Sequence, residues 1–297
     1  MTTRSKAHLG LFATNLFFAI NLSAVKYLTG NQLMGPFGMN VIRVGVSTLL
    51  FWLLFLFQPS SSKIERSDLG RFFLCALTGI AINQMLFLKG LSLTYSIHAV
   101  LLMLTTPILI TIIAALLLKE RVNPAKVIGL LLGITGAAIL ISSGKSTGSG
   151  DNVLLGDMLI LINAISYTFY FILVKPLMLK YNPVQVIRLV FTLGFLMVLP
   201  FGWTEFTAIN WASFDATAYT CLGLIVIGGT FLAYLFNVYG IKILGASVAG
   251  AYIYSQPVFA TVIAMIFLKE ELEVYKIISA VLIFAGVYLC NKKLTND

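Results

Sequence analysis

TTPILITIIAALLLKERV (residues 105–122) and SQPVFATVIAMIFLKEEL (residues 255–272) are two versions of one segment, offset by 150 positions. Pro107 pairs with Pro257 and Lys119-Glu120 with Lys269-Glu270; at the same offset Gly136 pairs with Gly286, and upstream Gly90 pairs with Gly240. Earlier segments also correspond. AVKY (24–27) resembles LVKP (173–176), and NVIRVGVSTL (40–49) resembles QVIRLVFTLG (185–194). Four matches in the same order make the chain a duplication.

Around this pair, apolar runs without Asp, Glu, Lys or Arg cover 7–25, 44–62, 72–88, 90–118, 127–144, 158–174, 189–204, 216–241, 243–268 and 277–291. A helix needs about 20 apolar residues to cross a hydrocarbon core of about 30 Å. The ten runs therefore predict ten crossings. Ten helices of about 22 residues leave roughly seven residues per connection or tail, too few for a soluble domain. The uncharged stretch 27–42 carries Thr29-Gly30-Asn31-Gln32 and Gly35-Pro36 and reads as a turn leading into a helix. The first run follows Arg4, Lys6 and His8 without an A-x-A-like cleavage site, so it is expected to stay as a helix.

Composition agrees. Of 297 residues, 59% are apolar and 10% charged, with mean hydropathy +0.96. Soluble domains are roughly 25% charged. These figures exclude a disordered chain, a disulfide scaffold and a nucleic-acid-binding domain. The net charge of +9 sits in loops and helix ends, not in a stripe. Cys75, Cys221 and Cys290 are isolated and read as packing residues, with no metal site implied.

With the N-terminus inside, the inner tails and loops collect twelve Lys and Arg and the outer loops three, Lys145, Lys269 and Lys276. The positive-inside rule then places both termini in the cytoplasm, in the inner membrane. Five helices per half is an odd number, so the second half must enter the membrane inverted. The expected fold is all-α and integral to the membrane: ten transmembrane helices as two inverted five-helix repeats, 8–143 and 156–293, joined by a Gly/Ser-rich linker at 144–155. Inverted repeats place a binding site near the midplane, where the halves meet.

These features resemble the ten-helix EamA-type members of the drug/metabolite transporter superfamily, across about residues 8–293. The most specific element is the repeated apolar helix with a central proline and a Lys-Glu end. The resemblance implies an exporter of amino acids, other metabolites or drugs. It also implies a central cavity among the third, fourth, eighth and ninth helices, flanked by the first and sixth.

Polar groups inside a bilayer are costly and point to a pathway. Helical spacing puts several on shared faces. The candidate substrate-binding residues are Asn15, Asn83, Gln84, His98, Asn163, Tyr167, Tyr234, Asn237, Tyr252 and Gln256. Tyr170, Thr230, Ser255, Thr105 and Thr106 share those faces. Interhelical hydrogen bonding is the competing role for each. Pro107 and Pro257 are candidate hinges, because proline removes a backbone donor. Gly129, Gly133 and Gly136 permit close helix packing. Among Lys26, Arg43, Lys89, Lys175 and Arg188, whose competing role is snorkelling to headgroups, the two arginines are the better candidates for a gate or an anion contact.

No Asp or Glu lies well inside an apolar run. Pumps for organic cations need a buried carboxylate, so the expected substrate is neutral, zwitterionic or anionic. His98 is the one buried group titrating near neutrality, and facilitated diffusion or exchange competes with proton-driven export. An enzyme is excluded because paired carboxylates, a Ser/His/Asp set and H-E-x-x-H are all absent. GKSTGSG (144–150) lacks the phosphate-loop spacing, so no nucleotide or other cofactor is implied. A channel would need a ring of acidic or filter residues. The expected partners are a small-molecule metabolite and the lipid bilayer, without nucleic acid; a homo-oligomer is left open. The reading is a metabolite exporter working by alternating access, with a proton-coupled efflux pump and then a non-transporting scaffold as alternatives.

Overall fold

The computed structural model describes residues 2–57, 63–94, 99, 102–119, 122–142, 152–259, 262–263 and 274–291. No strand occurs among them. The helices are α1 (Thr3–Gly30), α2 (Pro36–Phe57), α3 (Arg66–Leu93), α4 (Thr106–Leu118), α5 (Pro124–Ser142), α6 (Val153–Lys180), α7 (Pro183–Thr207), α8 (Ala216–Leu244), α9 (Ala246–Ala251, continued by a 3-10 turn Tyr252–Ser255) and α10 (Val274–Asn291). Six of them, α1, α2, α3, α6, α7 and α8, are long and apolar enough to cross a membrane.

Local chemistry sets the helix starts. Asn152, Asn182 and Asp215 cap α6, α7 and α8 by accepting from Leu155, Val184 and Ala218 amides at 3.2, 2.9 and 2.7 Å. Pro36 opens α2, and the next two amides, Phe37 and Gly38, donate to Glu205 Oε2 at 2.8 and 2.9 Å. Lys119, at φ 53°, closes α4 in the left-handed region. Gly245, at φ 91°, turns α8 into α9 within one residue.

Several run boundaries differ from the sequence expectation. The expected second run began at 44, yet α2 starts at Pro36, so Arg43 lies two turns inside it. The fourth run began at 90, yet α3 continues through Lys89 to Leu93. Lysine reaches the interface from within a helix, so a charge does not mark a helix end. His8 belongs to α1, which begins ahead of the expected first run. The last residues of the expected linker are helical from Val153, while 143–151 lie outside the described residues. Glu120, Lys269 and Glu270 lie outside them too.

α2 lies along α7, α5 along α10, α3 along α6 and α1 along α8. Exchanging each helix for the one five places away turns this set of pairs into itself. Glycines set a close approach between α5 and α10. A Cβ on Gly129 would stand 2.6 Å from the Gly286 carbonyl oxygen, and one on Gly286 would stand 2.5 Å from that of Gly129. Large apolar side chains face outward, Leu49, Leu56, Phe57, Leu116 and Val281 among them. Such an exterior suits lipid, where the backbone must satisfy itself within helices. At one end of the bundle, Lys180 pairs with Glu65 at 2.6 Å and Asp68 at 2.7 Å, joining the start of α3 to the end of α6.

Candidate functional site: a central polar cavity

Both proline segments are broken just before the proline. Leu104 and Thr105 form a turn ahead of α4, and Tyr252–Ser255 wind as a 3-10 turn ahead of Gln256 and Pro257. Thr105 Oγ1 donates to the Leu102 carbonyl at 2.7 Å, and Ser255 Oγ donates to the Tyr252 carbonyl at 2.6 Å. The two bonds are equivalent at the 150-residue offset. Each proline therefore sits in the first turn of a new helix, where its missing donor is not needed.

The breaks border a cavity of about 90 Å³. A water takes roughly 10–15 Å³ of such space, so there is room for several waters or a small solute. Six of the ten candidate residues wall it: Asn83, Gln84, Asn163, Tyr167, Tyr234 and Gln256. Pro257 and Thr106 also line it, as do Phe18, Phe87 and Met103. Pro107 is buried beside it but not on its wall.

The polar lining is held by neighbours. Gln84 Nε2 donates to Tyr234 Oη at 3.1 Å, and Tyr234 Oη donates to the Gly79 carbonyl at 3.0 Å. Gly79 lies in a π-helical stretch of α3, Leu77–Ala81. A π turn displaces the backbone ladder from its usual register, and such turns recur at functional sites. α8 holds a second stretch, Leu224–Leu232, and the two overlap at the repeat offset. Asn163 Nδ2 donates to the Asn83 carbonyl at 2.7 Å. Two further candidates stand one bond behind the wall. Asn15 Oδ1 accepts from Gln256 Nε2 at 2.9 Å, and Asn237 Nδ2 donates to Tyr167 Oη at 3.1 Å.

Tyr252 is elsewhere. Its hydroxyl meets His8 Nδ1 at 2.7 Å, off the cavity wall. Its spacing was consistent with a cavity face, but the 3-10 turn rotates it away from Gln256. His98 lies outside the described residues.

Three polar lining residues stand outside the ten candidates: Thr106, expected to share a face with them, Asn21 and Arg43. Asn21 was visible as an amide within an apolar run. Arg43, a sequence candidate for a gate or an anion contact with snorkelling as its competing role, stands on the wall because α2 starts at Pro36. Arg43 is 3% exposed, and its Nε donates to Thr230 Oγ1 at 3.0 Å. Its repeat counterpart, Arg188, instead lies over the Trp52 and Phe55 rings, 4.2 and 3.6 Å from their centroids.

A helical bundle with lipid-suited flanks and a polar cavity between its halves defines a polytopic membrane protein. Comparison with known proteins names the class. The sequence model of the EamA-like transporter family matches residues 5–142 and again 154–292, and the chain belongs to that family, within the drug/metabolite transporter superfamily. It is a multi-pass membrane transporter, not an enzyme. An uncharacterized transporter of Archaeoglobus fulgidus is 25% identical over 295 residues, covering 97% of this chain and 98% of that protein. A probable terminal-alkyne amino-acid exporter of Streptantibioticus cattleyicolor is 26% identical over 291 residues, covering 97% and 94%. One crystal structure superposes with TM-score 0.77 at 18% identity, covering 98% of this chain and 100% of the other, which speaks to fold alone.

Proposed function

We propose that the protein exports small metabolites such as amino acids across the cytoplasmic membrane, by alternating access through the central cavity. The observation that carries this reading is the cavity itself, where six sequence-selected polar residues converge between the proline breaks. Aromatic rings and amides around an apolar floor suit a small amphiphilic solute. The similarity to the probable terminal-alkyne amino-acid exporter of Streptantibioticus cattleyicolor supports the substrate class.

In this reading the halves, 8–143 and 156–293, are inverted repeats joined by the 144–155 linker. The helix pairing that survives a five-place exchange supports it, as does the bias of twelve inner to three outer basic residues. Both termini then face the cytoplasm. Asn83, Gln84, Asn163, Tyr167, Tyr234 and Gln256 contact substrate, Asn15 and Asn237 position them, and Pro107 and Pro257 are the hinges. Tyr252 and His8 form a contact near the inner face.

The test is uptake of a panel of labelled amino acids into liposomes holding purified protein, first without an ion gradient. Saturable uptake weakened by Asn237→Ala supports a gradient-independent carrier. Uptake that appears only under a proton gradient makes the protein a coupled pump. Absence of transport under both conditions sinks the amino-acid reading.

A further inference from the structure

Burying a guanidinium away from water is expensive, and membrane interiors keep such a group where a partner will meet it. Among the described residues Arg43 has no carboxylate partner. Among those residues its one bond is Nε to Thr230, and Nη1 is buried without a partner. The side chain borders the central cavity. Thr230 accepts from Nε and passes its own proton to the Ile225 carbonyl at 2.8 Å, so it offers Arg43 a neutral oxygen and no countercharge.

The same cavity carries unpaired acceptors. Tyr234 has one hydroxyl proton, aimed at the Gly79 carbonyl at 3.0 Å with Asn83 Oδ1 at 3.4 Å as a second acceptor, so Gln84 presents its amide nitrogen to Tyr234. Gln84 Oε1 is thereby left buried and without a partner, as is Asn21 Oδ1. The lining thus holds a fixed cation with a spare donor together with unpaired neutral oxygens.

We propose that Arg43 is the carboxylate-binding residue of the cavity, and that Gln84 and Asn21 receive the ammonium group of the same solute. This inference rests on reading the cavity as the transport site. It narrows the substrate to a carboxylate-bearing solute, a zwitterionic amino acid or a monocarboxylate. Amines and amides lacking the carboxylate are excluded, since they would face an unneutralised guanidinium. Thr230 is a positioning residue that aims the guanidinium.

The test uses three matched probes: L-leucine, 4-methylpentanoate (the amino group removed) and L-leucinamide (the carboxylate removed). Thermal stabilisation of the purified protein reads binding, and liposome counterflow reads transport. Leucine and 4-methylpentanoate are expected to bind, and leucinamide is not. Arg43→Gln should weaken the carboxylates by about tenfold or more, the loss expected for a charge-assisted pair. Gln84→Glu, which supplies an internal partner for Arg43, should admit leucinamide and weaken 4-methylpentanoate. That gain also serves if Arg43→Gln fails to fold.

Equal binding of leucinamide and leucine to the wild type overturns the inference. So does unchanged 4-methylpentanoate affinity in a folded Arg43→Gln protein. A wild type that responds to no carboxylate, across the standard amino acids and 4-methylpentanoate, overturns it as well. Carboxylate binding without counterflow keeps the inference and defeats the transport reading. Leucine transport by Arg43→Gln at the wild-type KM does the reverse.

Discussion

Gln84 hydrogen-bonds Tyr234, and the two stand 150 residues apart, the offset at which 105–122 matches 255–272. A residue can touch its own counterpart only where the two halves meet. The contact therefore marks the centre of the molecule, beside the cavity. Thr105 and Ser255, with their matching hydroxyl-to-carbonyl bonds, extend the same relation to the two helix breaks.

Tyr234→Phe keeps the ring and removes the hydroxyl. Gln84 Nε2 then loses its acceptor and the Gly79 carbonyl its donor. Stability should fall by about 1–2 kcal/mol, the usual cost of orphaned buried groups. Denaturation in detergent measures the first effect and liposome transport the second, where KM should rise. Wild-type values in both would remove the central contact from any role.

Arg188→Gln is expected to behave unlike Arg43→Gln. The Arg188 guanidinium rests on Trp52 and Phe55, at the α2–α7 seam and away from the cavity lining. Loss of the cation–π contacts should cost about 0.5–2 kcal/mol of stability. Substrate KM should stay at its wild-type value. A raised KM with unchanged stability would reverse the two arginines.

The α5–α10 seam admits no side chain at its glycines. Gly286→Ala should destabilise by about 1–3 kcal/mol, because the new methyl meets backbone and not a movable side chain. Gly70→Ala, with nothing within 4 Å of the added carbon, is the control and should be neutral or slightly stabilising. Thermal unfolding of both in one detergent decides it.

Glu205→Gln removes the charge that holds the first amides of α2. A carboxylate at a helix start contributes about 0.3–2 kcal/mol, depending on burial. Stability should fall within that range. The deficit should shrink at high salt only where the site is open to solvent.

The duplicated proline segment made the family and the helical class legible, because four matches in the same order along one chain have no local explanation. The six lining residues were legible for a simpler reason: an amide or phenol within an apolar run needs a partner, and the cavity supplies it. Arg43 was harder. Its depth depends on where α2 begins, and that is fixed by Glu205 from the far end of α7, a contact no local pattern announces. Tyr252 misled because periodicity of 3.6 was carried through a turn that winds three residues per turn. Gly79 was illegible in another way, since its role belongs to its carbonyl and not to its residue type.

The π stretches of α3 and α8 carry a mechanical consequence. Each is the helical equivalent of a dislocation in a crystal, one surplus residue absorbed by a local slip of the lattice. A dislocation glides by exchanging one bond at a time, so material on one side shifts against the other at small cost. Two helices beside the cavity hold such a defect at overlapping repeat positions, Leu77–Ala81 and Leu224–Leu232. If the defects glide during transport, amide exchange there should outpace that in the middle of α2 and slow when substrate pins one register. Uniform exchange along α3, α8 and α2 would mean that the defects are frozen.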